Sequence, residues 1–390
     1  MDAPMTRSRE RSRPAALWTA VLGLALGTAP LAAATTAHAD TVPATAHAPA
    51  APAHAAPRLE RLSTAADGTQ LDGASGGGAL SADGRHAAFV TRAPALGCDQ
   101  YSPCLKVEDL TTGALTGIDL GSGHLYGSPL LSADGSRVAF TATRRFAAPY
   151  LYDRATGTAT RLWPQNPPGS NELGAVHALS PDGTRVAYTL GNRHGTQHAR
   201  LLYVRSTTTG TDELISGPEE GWKGAASVTD DGSRVAYQIG GHSEGPDDTA
   251  DIFLKEPATG TRTQLDTGLG TAELLRLTGD GRRVLFTAQG GLYVHTVRTG
   301  TTERVAEGRA RSVTADGRYA ALSDAAGLRL LDLRTGRGET VGPADAQAAP
   351  GAVAAGGRAV VFGSEAADLV PDDTNGVADV FLWTAGRGRP

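Results

Sequence analysis

The 390 residues contain only two cysteines, two methionines and 5% aromatic residues, and nothing after residue 39 is apolar for long enough to span a bilayer. The scarcity of cysteine excludes a thiolate metal centre and a multi-disulfide scaffold. There is no basic excess either. Lys and Arg number 36 against 41 Asp and Glu, and setting aside residues 1–39 leaves 32 against 39, a net charge near −7. Such a surface gives no electrostatic reason to bind nucleic acid or an anionic membrane.

The N-terminus is different in kind. Arg7, Arg9, Arg11 and Arg13 precede the apolar run LWTAVLGLALGTAPLAAA, which is followed by Ala37-His38-Ala39. That order predicts a Sec-type secretory signal peptide over 1–39, cleaved to release an exported protein. Residues 40–57 are Ala- and Pro-rich and read as a semi-extended linker. In an exported chain, Cys98 and Cys104 of CDQYSPC are expected to form a disulfide that pins one loop.

The rest of the chain repeats itself. ALSADGRHAAF, LLSADGSRVAF, ALSPDGTRVAY, SVTDDGSRVAY, RLTGDGRRVLF and SVTADGRYAAL align on Asp83, Asp134, Asp182, Asp231, Asp280 and Asp316, and AVAAGGRAVVF follows with Gly356 in the Asp position. Asp-Gly is a strong hairpin signal, because Gly accepts positive φ and Asp bonds the turn backbone. A second hairpin follows in most repeats, turning at Thr-Gly as in LLYVRSTTTGTDELI and DIFLKEPATGTRTQL. Four strands per repeat, repeated about an axis, predict an all-β fold, a β-propeller over 58–390. Seven blades are expected, or six if the degenerate last repeat is not one. Arg58–Ser63 (RLERLS) resembles the outer-strand sequence TTERVA, so this N-terminal strand is expected to complete the last blade and close the ring.

SPDGTRVAY, SADGSRVAF and the Thr-Gly hairpins resemble the repeats of TolB-like β-propellers, and the tail LVPDDTNGVADVFLW resembles the repeat of exported bacterial propellers of that superfamily. The resemblance covers roughly 58–390. It implies the propeller fold, and for function it spans protein-binding, peptide-gating and lyase members. The additional α/β domain that precedes the propeller in TolB itself is replaced here by a short linker.

Several motifs fail on context. GHSEG (241–245) and GASGG (73–77) match G-x-S-x-G, yet neither precedes a helix that would support an oxyanion. His194 and His198 are four apart in a loop, where helical spacing has no force. Asp373, Asn375 and Asp379 of DDTNGVAD are weak candidates for a calcium site, against the simpler reading of an Asx turn. No cofactor is otherwise expected.

Both tight turns of a blade should lie on one face, leaving the long, varied connections on the other. Those connections carry His124, Tyr126, Arg145, His177, Trp222, Lys223 and His242, the candidate binding residues, while the fifth and sixth repeats have very short connections and should form a low rim. The sequence thus predicts a monomeric, non-enzymatic binding propeller for a protein, peptide or glycan. The alternative is a polysaccharide-active enzyme, since oligogalacturonate lyases use a similar propeller with channel histidines and a divalent metal. His124 and His177 would be the residues to serve that role.

Overall fold

The computed structural model describes residues 56–165, 173–191, 200–217, 223–240 and 249–386. The expected signal peptide and most of the linker lie outside these residues, as do Trp222, His242, His194 and His198. Among the described residues there is no α-helix; the chain is all-β.

The strands form six sheets, four of them of four antiparallel strands, and the sequence repeats divide these into seven units. The first runs Ser75–Leu80, His86–Thr91, Cys104–Asp109 and Ala114–Ile118. The second and third are joined into one nine-stranded sheet by a single parallel pair, Leu173 with Ala147. In the seventh, Ala359–Ser364 pairs Asp379–Thr384, which in turn pairs Arg58–Arg61 from the N-terminus, with Arg58 opposite Thr384.

Each Asp-Gly hairpin is built the same way. A Ser or Thr hydroxyl donates to the turn aspartate at 2.6–2.7 Å in six units, from Ser81, Ser132, Ser180, Thr229, Thr278 and Thr314. The same carboxylate accepts the backbone N–H two residues on, at 2.9–3.0 Å. For Asp231, the Thr229 hydroxyl and the Ser233 amide hold the carboxyl below its usual range. The Thr-Gly turns meet these hairpins directly: Arg154 donates to the Gly135 carbonyl at 3.0 Å and Thr207 to that of Gly183 at 2.9 Å. Both turns therefore occupy one face.

That face also carries the ties between units. Asp83 N–H donates to Ala133, Ala133 to Pro181, Asp230 to Gly279 and Gly279 to Ala315, and Ala355 of the last unit donates to Ala82 of the first at 2.9 Å. The turn glycines are covered by the preceding unit. A Cβ on Gly135, whose φ is +68, would sit 2.5 Å from His86, and one on Gly232 2.7 Å from Arg185.

Between the sheets lie the cores. Phe140 packs with Ala88, Leu105 and Val107 of the first unit, and stacks on Tyr150 of its own sheet at 5.6 Å. Leu80 and Phe89 of the first unit share a core with Val361 and Leu382 of the last. Full burial of such side chains contributes about 1.5–3 kcal/mol each, so sheet-on-sheet packing dominates the stability.

Candidate functional site

A concavity on the loop-bearing face lies between the first and second units. Cys98 and Cys104 are disulfide-bonded. Within the loop they close, Asp99 accepts the backbone N–H groups of Tyr101 and Ser102, both at 2.7 Å, and this Asx turn leaves the Tyr101 ring 74% exposed. Ser102 in turn accepts the Gly123 N–H at 3.1 Å, fastening the disulfide loop to the segment that enters the second unit. Two fixed loops thereby enclose a groove of about 320 Å³.

Its lining joins His124 and Tyr126 to Lys106 and Asp119. His124 Nδ1 lies 3.0 Å from the Gly121 carbonyl, which can only accept, so this nitrogen donates to it. The Tyr126 hydroxyl accepts the Leu120 N–H at 3.3 Å, while its ring rests against Phe140 at 5.8 Å; burial pushes its pKa up. Lys106 projects from the strand Cys104–Asp109. Burial lowers its pKa and Asp119 partly offsets that, but among the described residues its ammonium makes no ion pair or hydrogen bond. Leu125, 47% exposed, stands beside His124 in sequence. The groove thus brings an imidazole, a phenol and a lysine ammonium together.

The other expected residues are placed elsewhere. Arg145 stacks over its neighbour Phe146 at 5.2 Å. Lys223 is not a surface residue: it begins the strand Lys223–Val228, is fully buried, and donates to the Gly217 carbonyl. Its ammonium satisfies a buried backbone acceptor. His177 lies at a register slip in the innermost strand of the third unit, between Val176 and Ala178, with Nε2 2.9 Å from the Thr189 hydroxyl. It does not line the groove that holds His124.

Asp373, Asn375 and Asp379 do come together, around protein groups. Asp379, wholly buried, accepts from Ser63 at 2.6 Å and Gln70 at 2.7 Å, and Asn375 donates to it and to the Leu71 carbonyl. Arg61 stands 3.3 Å from Asp379 and 3.4 Å from Asp373, supplying the positive charge. Among the described residues no three His, Cys, Asp or Glu side chains are grouped to share a metal ion. The loop acts as a clasp that binds the N-terminal strand to the last sheet.

Sequence reasoning missed Lys106. Its strand, CLKVED, alternates like any half-buried strand, and nothing in it marks which charged residue faces a groove. The disulfide spacing was the one available signal.

No protein-family model and no curated relative matches the chain. Solved structures do. An oligogalacturonate lyase in complex with manganese is similar with a TM-score of 0.63 at 16% identity, over 86% of this chain and 95% of that one. The β-propeller domain of the Trilobed protease from Pyrococcus furiosus is similar with a TM-score of 0.54 at 14% identity, over 80% and 93%. TolB from Acinetobacter baumannii is among the matches too, with a TM-score of 0.46 at 18% identity over 65% of this chain and 63% of that one. At these identities what the chain shares with the first two is the β-propeller fold.

Proposed function

We propose that this is an exported, non-enzymatic binding propeller, a closed ring of seven blades that acts as a monomer and recognises a protein, peptide or glycan on its loop-bearing face. The observation that carries the reading is the groove between the first and second units, where fixed loops bring His124 and Tyr126 together with Lys106, and the exposed Tyr101 stands on one of those loops. The disulfide is compatible with an extracytoplasmic location, and no helix of the described residues is long and apolar enough to cross a membrane. The test presents glycan and peptide arrays to the mature protein and to Tyr101→Ala and Lys106→Met variants. A ligand bound by the wild type and lost in both variants supports the reading; a ligand bound equally by all three removes the groove from it.

The second reading is a metal-dependent lyase acting on uronate oligosaccharides. It is favoured by the similarity to the manganese-bound lyase and by the half-buried His177 on an inner strand. Cleavage of such oligosaccharides that needs added manganese and disappears in His177→Ala would replace the binding reading by this one.

A further inference from the structure

A second concavity lies on the axis. About 530 Å³ in volume, it is lined by residues of four successive units: Gln238 of the fourth, Arg276 of the fifth, Arg311 and Ser312 of the sixth, and Pro350 of the seventh. Only the centre of the ring is shared by units that are not neighbours. Its lining begins at the loop-bearing end with Thr271 and Ala272, beside the units whose connections are shortest. Gln289-Gly290 alone joins two strands of the fifth unit, and Ala325-Ala326 two of the sixth. The low rim expected from the short connections is therefore the open side of this cavity.

The innermost strands slip register here. The slip falls between Leu274 and Arg276 in the fifth unit and between Ala310 and Ser312 in the sixth. A bulge gives one strand an extra residue and re-aims its side chain. Arg311 is that residue in the sixth unit and Arg276 borders the bulge in the fifth; both line the cavity. Where these two stand, the other Asp-Gly repeats have no Arg or Lys: Ala79, Leu130, Ala178, Ser227 and Ser312 occupy the Arg276 column, and Gly78, Pro129, His177, Ala226 and Leu275 the Arg311 column.

Neither guanidinium is neutralised. Among the described residues no carboxylate is within ion-pair distance of either, and the one hydrogen bond from Arg276 goes to the Val313 carbonyl at 3.4 Å. The neighbouring Glu273 is already paired with Arg309 at 2.8 Å. Burial lowers the pKa of Arg276, and the nearest opposing charges are Asp230 and Asp316 toward the tight-turn end. An arginine keeps its proton in such surroundings, so the lining carries two positive charges beside one carboxylate, that of Glu273, which Arg309 already neutralises. An anion entering over the low rim is attracted as far as Arg276 and repelled past it.

We propose that this axial cavity is a binding site for a small organic acid carrying two or more carboxylates, one gripped by Arg311 and one by Arg276. Planar guanidinium forks match carboxylates in geometry and charge, and the volume falls in the range of small-molecule pockets, roughly 300–1,000 Å³. The Gln238 carbonyl already accepts the Leu274 N–H at 3.2 Å, which leaves its NH₂ to donate to the ligand. The site is separate from the loop-face groove, so either can fail without the other.

The experiment is isothermal titration of the mature protein with citrate, with inorganic phosphate as the comparison. Citrate is expected to bind saturably at one site. Arg311→Gln should weaken it at least tenfold and Arg276→Gln at least as much, whereas Arg304→Gln, which removes an arginine paired with Glu307 outside the cavity lining, should change it less than threefold. Because Arg276 is enclosed and its variant can lose its fold, Arg311→Gln with an unchanged melting curve is decisive. No saturable citrate binding, or citrate binding indifferent to Arg311→Gln, overturns the site. Phosphate bound as tightly as citrate with the same arginine dependence overturns its assignment to carboxylates.

Discussion

The two ends of the sheet units differ in what repeats. At the tight-turn end the same hydroxyl, carboxylate and glycine recur six times, each glycine lying against the unit before it. Among the described residues the loop-bearing end carries contacts of different kinds: a disulfide stands in one place, a cation over an aromatic ring in another, a buried lysine in a third. Recurrence identifies interactions that every unit needs for folding, and the unrepeated contacts are where specificity can reside. One loop-end cluster breaks the pattern. The residues around Asp379 hold the N-terminal strand in the last sheet.

The sharpest way to break the comparison is therefore to cut that clasp. Asp379→Ala removes the carboxylate that faces Arg61, Ser63 and Gln70, leaving a buried guanidinium with weaker compensation. Truncating one partner of a buried pair costs about 3–5 kcal/mol. Denaturant unfolding should show a loss of that size; a loss no greater than that of an exposed Asp→Ala would mean that the cluster is not structural. Next comes Gly135→Val. It forces a β-branched residue into positive φ and drives its Cβ onto His86, so a loss of about 2–4 kcal/mol is expected. Thermal unfolding checks it, and an unchanged melting temperature would refute the role given to the turn. Smaller still is Thr229→Val, which deletes the hydroxyl that Asp231 and the Arg234 amide both use. About 1 kcal/mol is expected. Equal losses from Thr278→Val would support the equivalence of the units.

Much of the tight-turn end was legible in the residues alone. Ser/Thr-x-Asp-Gly names both partners of the turn bond, and the aromatic six positions on is the one that packs between sheets, as Phe140 does. The N-terminal strand was legible because RLERLS carries the pattern of an outer strand. The loop end was not. Lys223 and Lys106 are both lone lysines near strand ends, and only the packing distinguishes the one buried on a carbonyl from the one left unpaired. The repeat alignment does contain Arg276 and Arg311 as arginines in columns that otherwise hold no Arg or Lys. What it lacks is the bulge, which decides where those columns face. The Asp373-Asn375-Asp379 spacing suited a cation because oxygen ligands look alike in sequence, whereas Arg61, more than 300 residues away, became a neighbour only through the strand it sits on.

The seam between first and last units offers the smallest and most specific test. Glu108 projects from the third strand of the first unit toward Glu60 on the N-terminal strand. Its Oε2 is buried without a partner, and burial, reinforced by Glu60, raises its pKa to about 7. Glu60 is itself paired with Arg58 at 2.7 Å, so no cation is left for Glu108. The folded-state pKa is above the unfolded one. The seam is then most stable where Glu108 is neutral in both states, weakens as pH climbs from the ordinary glutamate range toward 7, and levels off above. Glu108→Gln keeps the shape and removes the charge. It should raise the melting temperature at about pH 8 and leave it unchanged near pH 4.5, with solvent screening of the half-exposed side chain holding the gain to a few degrees. The same substitution at Glu213, on an outer strand edge of the third unit, should give no pH-dependent gain. If Glu108→Gln were equally indifferent to pH, the seam would carry no ionisable weak point and would be the equal of the others.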